Sequence, residues 1–190
     1  MHRVKMITWR CVMENIPMIP LSESIRRFRL PDYETIPDVG LYLEQTTKYI
    51  TDRLAPLPTL TITNSMIGNY VKRGLIANPV KKQYNRDQIA YLIFIVVAKS
   101  VLSLEDIQLL IDLQKNSYDK KTAYQYFCNE FENVLQTVFG LKDTVDAIGM
   151  DNTQEKQMLR NTIITVAHKI YLDLCFSAIH AGAGHQDNAT

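Results

Sequence analysis

The sequence predicts a mainly α-helical fold carrying one small β-hairpin, on three observations. Apolar residues recur at three- and four-residue spacing through two long stretches near the C-terminus. The first holds Tyr124, Phe127, Cys128, Phe131, Val134, Leu135, Val138 and Phe139, and the second Leu159, Ile163, Val166, Ile170, Leu174 and Ala178. Residues 86–100 are apolar on nearly every side (Ile89, Ala90, Leu92, Ile93, Phe94, Ile95, Val96, Val97), which predicts a helix buried from more than one direction. Between Gly74 and Asn85 the pattern changes: an apolar pair, Leu75-Ile76, a turn signal, Ala77-Asn78-Pro79, and an extended run, Val80–Tyr84, predict the hairpin.

The elements follow in order. Pro17, Pro20, Pro31 and Pro37 punctuate the first forty residues, so residues 1–30 read as an N-terminal extension without stable structure, apart from a short helix near Ser22–Phe28. The first ~20 residues fit a loose tail or an over-extended start, with Met13 as the alternative first residue. Asp38 can cap a helix over Val39–Leu54, and Ala55-Pro56-Leu57-Pro58 ends it. Thr63-Asn64-Ser65 opens a two-turn helix, Met66–Arg73, which Gly74 stops. Too short to be stable alone, it must pack through Met66, Ile67, Tyr70 and Val71. Asn85 and Gln88 form a capping-box start for residues 86–100. Ser103 opens another helix, with Glu105 and Asp106 in its first turn and Leu104, Ile107, Leu110 and Ile111 on its core face. Lys121–Phe139 and Thr153–Ile179 are the two long helices, and Ala181–Thr190 frays. The chain thus divides into an extension (1–30), a compact module (31–115) and a helical assembly or effector region (116–190).

Charge is unevenly placed. The net charge is only +1, but from Leu60 to Val101 Lys72, Arg73, Lys81, Lys82, Arg86 and Lys99 face the single acid Asp87. From Leu102 onward 12 acidic residues outnumber 7 basic ones, so the basic middle is a local property. The short helix and the hairpin carry nearly all of it. A helix fits the major groove, and a hairpin beside it reaches phosphates, so the order helix, turn, short helix, glycine, hairpin, helix reads as a winged helix-turn-helix. Asn64, Ser65, Asn69, Tyr70, Lys72 and Arg73 are the candidate contacts from the helix, and Lys81, Lys82, Tyr84 and Arg86 those from the wing. The expected partner is double-stranded DNA. The bland alternatives are a lysine-protected hairpin edge and core tyrosines with wet hydroxyls.

The stretch Ser65–Ile76 resembles the recognition helix and following Gly-Leu of the mercury-resistance regulators, the MerR family, with Tyr70 matching the second of that family's paired aromatics. Tyr84, Ile89, Leu92, Phe94 and Ile95 fall at the spacing of its wing-closing tyrosine and next helix, and Ser103-Leu104-Glu105-Asp106-Ile107 is similar to its "S-L-E-E-I" element. The resemblance covers roughly residues 60–113. It departs where the family has a phosphate-contacting arginine (Gly68 here) and a first aromatic (Asn69 here), and the stretch before Ser103 is one residue short and lacks the family's glycine. It implies a DNA-binding regulator that dimerises through a long C-terminal helix. Helices 121–139 and 153–179 suit that homodimer, and their stripes suit an intramolecular core equally. More closely, Leu30–Phe139 resembles a family of bacterial proteins of unknown function with the same S-M-I-x-N-Y-V-K-x-G-L-I and K-K-x-Y-x-R-x-Q-I-A-Y-L blocks.

Other classes find little support. His2, His168, His180 and His185 lack carboxylates or cysteines at metal-ligand spacing, and no Gly-rich phosphate loop or nucleophile elbow occurs, so neither enzyme activity, metal nor cofactor is expected. Cys11, Cys128 and Cys175 are far apart and make no disulfide framework, which suits a reducing cytoplasm, and Cys128 among Phe127 and Phe131 reads as core. No unbroken apolar run reaches the ~18 residues of a membrane span, and Thr8, Arg10 and Glu14 interrupt the start too early for a signal peptide. The rival to a DNA-binding regulator is a non-catalytic interaction module using the same fold as a docking surface. Effector, operator and direction of regulation leave no mark in the sequence.

Overall fold

The computed structural model describes residues 18–146, 148 and 153–183. The expectations for the start of the chain, Met13 and Cys11 included, and for the last seven residues lie outside them. The described residues are mainly helical, with a small antiparallel two-stranded sheet. In chain order the elements are α1 (Met18–Arg27), a 3-10 turn (Tyr33–Thr35), β1 (Leu41–Tyr42), α2 (Leu43–Leu54), α3 (Asn64–Lys72), β2 (Gln83–Tyr84), α4 (Arg86–Ala98), α5 (Leu104–Ser117), α6 (Lys120–Val138) and α7 (Gln154–Ala183).

Local chemistry sets most of the ends. Asn85 and Gln88 cap each other: the Gln88 N–H donates to Asn85 Oδ1 at 3.0 Å and the Asn85 N–H to Gln88 Oε1 at 2.9 Å. Ser103 Oγ accepts from the Asp106 N–H at 3.1 Å. At α3 the capping residue is Thr63, the first of the three polar residues expected to open the helix, with its hydroxyl accepting from the Met66 N–H at 3.2 Å. The helix ends in a Schellman turn: Leu75 N–H bonds the Tyr70 carbonyl, Gly74 N–H bonds that of Val71, and Gly74 adopts a φ of 78° that a side chain would resist.

Two expectations are corrected. The helix expected over Val39–Leu54 starts at Leu43, because Leu41 and Tyr42 are drawn out as a strand and the Tyr42 N–H is taken by Gln45 Oε1. The hairpin is also built differently. Its turn is not at Ala77-Asn78-Pro79 but at Lys81-Lys82, where the Gln83 N–H bonds the Val80 carbonyl at 2.9 Å. Leu75-Ile76 form no strand among the described residues. Gln83-Tyr84 pair instead with Leu41-Tyr42, in the register Leu41 opposite Tyr84 and Tyr42 opposite Gln83. The reason is burial: Leu75 and Ile76 are core residues whose side chains both point inward, which an alternating strand does not allow.

One buried cluster runs from Ile25 to Leu174, through all three segments that the sequence suggested as separate. The expected disordered extension is folded from Met18 on: Ile25, Phe28 and Leu30 are buried, and the Leu30 N–H donates to Glu132 on α6. An aromatic chain crosses the core, with ring centroids 5.4 Å apart for Phe94–Phe127, 5.9 Å for Phe127–Phe131 and 6.1 Å for Phe131–Phe28. It joins α4, α6 and the residue after α1. Cys128 is buried beside it, as expected.

α7 packs along α6 through Ile163, Val166, Ala167, Ile170 and Leu174, and Phe139 meets Tyr171 edge-on. Its span Gln154–Ala181 is long and apolar enough to cross a membrane by length and composition, although charged residues such as Lys169 and Asp173 interrupt its apolar run. Part of that apolar surface is covered by α6. Leu172, Phe176 and Ile179 remain exposed.

Candidate nucleic-acid interface

α3 has a buried and an open side. Ile67 and Tyr70 face the core, whereas Asn64, Ser65, Gly68, Asn69 and Lys72 are exposed at the spacing of one helix face. Four of those five positions carry side chains no longer than asparagine. A Cβ built on Gly68 would meet nothing within 4 Å, so nothing in the fold requires a glycine there. The helix is held from behind by α2, where the Thr47 hydroxyl donates to Asn64 Oδ1 at 2.6 Å. Half of the Asn64 amide is therefore spent on the fold.

The Lys81–Lys82 turn is unusual. Both residues have positive φ, 51° and 65°, the mark of a type I′ turn, which normally holds Asn-Gly. A left-handed backbone costs a residue with a Cβ about 1–2 kcal/mol. Both side chains are exposed. Neither Lys81, Lys82 nor Lys72 is within ion-pair reach of a carboxylate among the described residues. Beside them a row crosses the sheet on one face: Val80, at 72 % exposure, the half-buried Gln83, and the exposed Tyr42. The sequence reading missed Val80 and Tyr42, since a two-residue strand leaves no periodicity to detect.

The other basic candidates have structural work. Arg73 Nη1 lies 2.7 Å from Glu105 Oε1 and ties the end of α3 to α5, and backbone hydrogen bonding, followed by this pair, holds the Glu105 carboxyl below its usual range. Arg86, expected to grip phosphate, points inward. It donates from Nε to the Ile36 carbonyl at 3.0 Å and from Nη1 to Glu34 at 2.9 Å, and its guanidinium sits 5.5 Å from the Tyr33 ring centroid. Lys99 is half-buried against Met66 of α3, and burial lowers its pKa. Tyr70 and Tyr84, expected as contacts, are 2 % and 4 % exposed, and burial raises both hydroxyl pKa values. Their rings fill the core under the site. Of the ten candidates, Asn64, Ser65, Asn69, Lys72, Lys81 and Lys82 are on the surface and free of ion pairs.

Arg86 belongs to a wider network that no motif announced. The Tyr33 hydroxyl donates to Asp87, which also pairs with Lys120, while Lys121 pairs with Glu34. Burial and the Asp87 carboxylate push the Tyr33 hydroxyl up to about 12. Burial raises the Asp87 pKa, but the hydrogen bonds from Lys120 and Tyr33 outweigh it and hold the carboxyl below its usual range. These pairs lock the 3-10 turn between α4 and α6. They are spread over residues 33–121, so spacing along the chain cannot show them.

A family model described as a domain of unknown function (DUF1836) matches residues 31–127. The chain belongs to that family. The DUF1836 match starts where the compact module was expected to start, and it ends inside α6 at Phe127, the ring between Phe94 and Phe131. It covers α3, the lysine turn and the Tyr33–Asp87–Lys120 network. No curated protein and no solved structure matches the chain. Among the described residues, no group of three His, Cys, Asp or Glu side chains is placed to hold a metal ion.

Proposed function

We propose that this DUF1836 protein is a non-catalytic DNA-binding regulator acting in the cytoplasm, with α3 read into the major groove and the Lys81–Lys82 turn resting on phosphates, in the manner of a MerR-like winged helix-turn-helix. The observation that carries the reading is the turn. Two unpaired cations are held side by side in a backbone conformation that Asn-Gly would adopt more cheaply. Such local strain gathers at binding sites, where the side chains it presents are needed. The open face of α3 supports the same reading, because short side chains around Gly68 let a helix approach a groove floor closely.

With Arg73 and Arg86 committed to the fold, Lys72, Lys81 and Lys82 are the cations left for phosphate. Three contacts give a slope of about 2.7 log units of affinity per log of salt, and about twice that in a two-fold homodimer. The exposed Leu172–Phe176–Ile179 stripe of α7 supports such a dimer. The rival reading, a protein-docking module, is favoured by the apolar row of Tyr42 and Val80 beside the lysines.

Titration of fluorescent genomic DNA fragments at two salt concentrations tests this, with wild type and Lys81→Glu/Lys82→Glu compared. Salt-steep binding that the double variant loses is the expected result. A folded wild type that binds no fragment at low salt sinks the proposal and leaves the docking module.

A further inference from the structure

Behind the network of Asp87 and Lys120 lies a cavity of about 520 Å³, bounded by α4, α5, α6 and α7. Its walls are apolar: Ala90 and Phe94 from α4, Leu110 from α5, Ala123 and Phe127 from α6, and Leu159 from α7. The volume falls within the range of sites for small organic molecules. Two of its walls, Phe94 and Phe127, are packed edge to face and belong to the aromatic chain through the core. Rings so held keep a fixed shape that a flat ligand can match.

The polar groups at its border decide what such a ligand is. Asp87 and Lys120 neutralise each other. Lys121 is paired with Glu34, and Glu155 takes a hydrogen bond from Ser117 at 3.4 Å. Gln114 is nearly spent: its Oε1 accepts from the Tyr91 hydroxyl at 3.0 Å and its Nε2 donates to the Tyr118 carbonyl at 2.7 Å. The Tyr91 oxygen retains the capacity to accept one bond. A charged ligand would lose its water and find Asp87, Lys120 and Lys121 already paired, and Glu155 and Lys156 as opposite charges on adjacent residues of α7, at a high desolvation cost. An uncharged one loses little and gains the apolar walls.

We infer that the cavity between α4, α5, α6 and α7 binds an uncharged, mostly apolar, flat small molecule with at most one or two hydrogen-bonding groups. Occupancy would bridge α6 and α7 to α4, the helix that follows the lysine turn. The inference stands on the cavity and its border, and holds whether or not the chain binds DNA.

The test uses the full chain and two fluorescent probes, the uncharged dye Nile red and the anionic dye anilinonaphthalene sulfonate. Wild type is expected to bind Nile red one to one, and the anionic dye about tenfold more weakly or less. Ala123→Trp fills the cavity from α6 and Leu159→Phe from α7, and each is expected to weaken Nile red about tenfold through lost space. Leu172→Ser/Phe176→Ser, on the exposed face of α7, is expected to bind as wild type does. Circular dichroism checks that each variant is folded, and either filling variant suffices. No one-to-one Nile red binding, equal binding in a folded filling variant, loss of binding in the α7-face variant, or a preference for the anionic dye would each overturn the inference.

Discussion

Replacing Lys81-Lys82 by Asn-Gly separates what the turn costs the fold from what it does. Both lysines have φ near +60°, where a Cβ crowds the following carbonyl. Asparagine tolerates that conformation and glycine adopts it freely, so the pair should gain about 2 kcal/mol, taking about 1 kcal/mol per position from the low end of the left-handed penalty. In a chain of this size 1 kcal/mol raises the Tm by about 2–4 °C, so the double variant should melt roughly 4–8 °C higher. It also loses two cations from an exposed surface. Each phosphate contact accounts for about 0.9 of the salt slope, so the slope should fall by about 1.8 per chain. Thermal melts followed by circular dichroism, and the DNA titration above, read the two effects on one protein. An unchanged Tm would refute the strained turn. A higher Tm with an unchanged salt slope would refute the use of these lysines for phosphate.

Other outcomes follow from the same contacts. Gly68→Ala should stabilise the chain by about 0.5–1 kcal/mol in urea titrations, since α3 loses a helix-breaking residue and the new methyl meets open space. Gly68→Arg puts a cation on the same face and should steepen the salt slope by about 0.9; a clash visible as lost stability would contradict the open face. Arg86→Ala should cost about 2 kcal/mol, from the hydrogen bonds that a charged donor makes to the 33–38 segment, and leave the salt slope unaltered. Arg86→Lys should recover little of that cost, because one ammonium cannot reproduce the fork; a drop in salt slope would return Arg86 to the DNA contacts. Glu130 is fully buried, and although Arg160 Nε is 3.0 Å from Oε1, neither carboxylate oxygen makes a well-aligned hydrogen bond. Burial raises its pKa, so the folded chain keeps a proton there that the unfolded chain releases, and stability falls as pH rises from the ordinary glutamate value to the raised one. Urea midpoints of wild type and Glu130→Gln should therefore nearly agree near pH 4 and separate toward neutrality, with the variant the more stable; parallel midpoints would refute this.

Much of the candidate site was legible along the chain and part of it misleading. The polar side of α3 follows from its sequence, because Ile67 and Tyr70 must point inward and Asn64, Ser65, Gly68, Asn69 and Lys72 then point out. The sequence points to a turn at Ala77-Asn78-Pro79 and an extended run through Lys81-Lys82, because the first carries a strong turn signal and two lysines with positive φ carry none. The basic cluster was real as a count and wrong as a surface. Lys72, Lys81 and Lys82 are exposed and unpaired, but Arg73 is tied to Glu105 at the surface and Arg86 is turned into the fold beside Glu34.

Range along the chain marks the division. The sequence alone determined the helices and many of their ends, since the Asn85–Gln88 box, the Ser103 cap and the Gly74 stop act within five residues and are written in adjacent letters. It also determined that residues 86–98 lie at the centre, because a helix apolar on every side has nowhere else to go. Only the tertiary structure decided that Leu41-Tyr42 pair with Gln83-Tyr84, that residues 18–30 join the core through Phe28 and Glu132, and which of the cations stay free. A charged or pleated group chooses among all the partners that folding brings within a few ångströms, and the packing of the whole chain settles that choice.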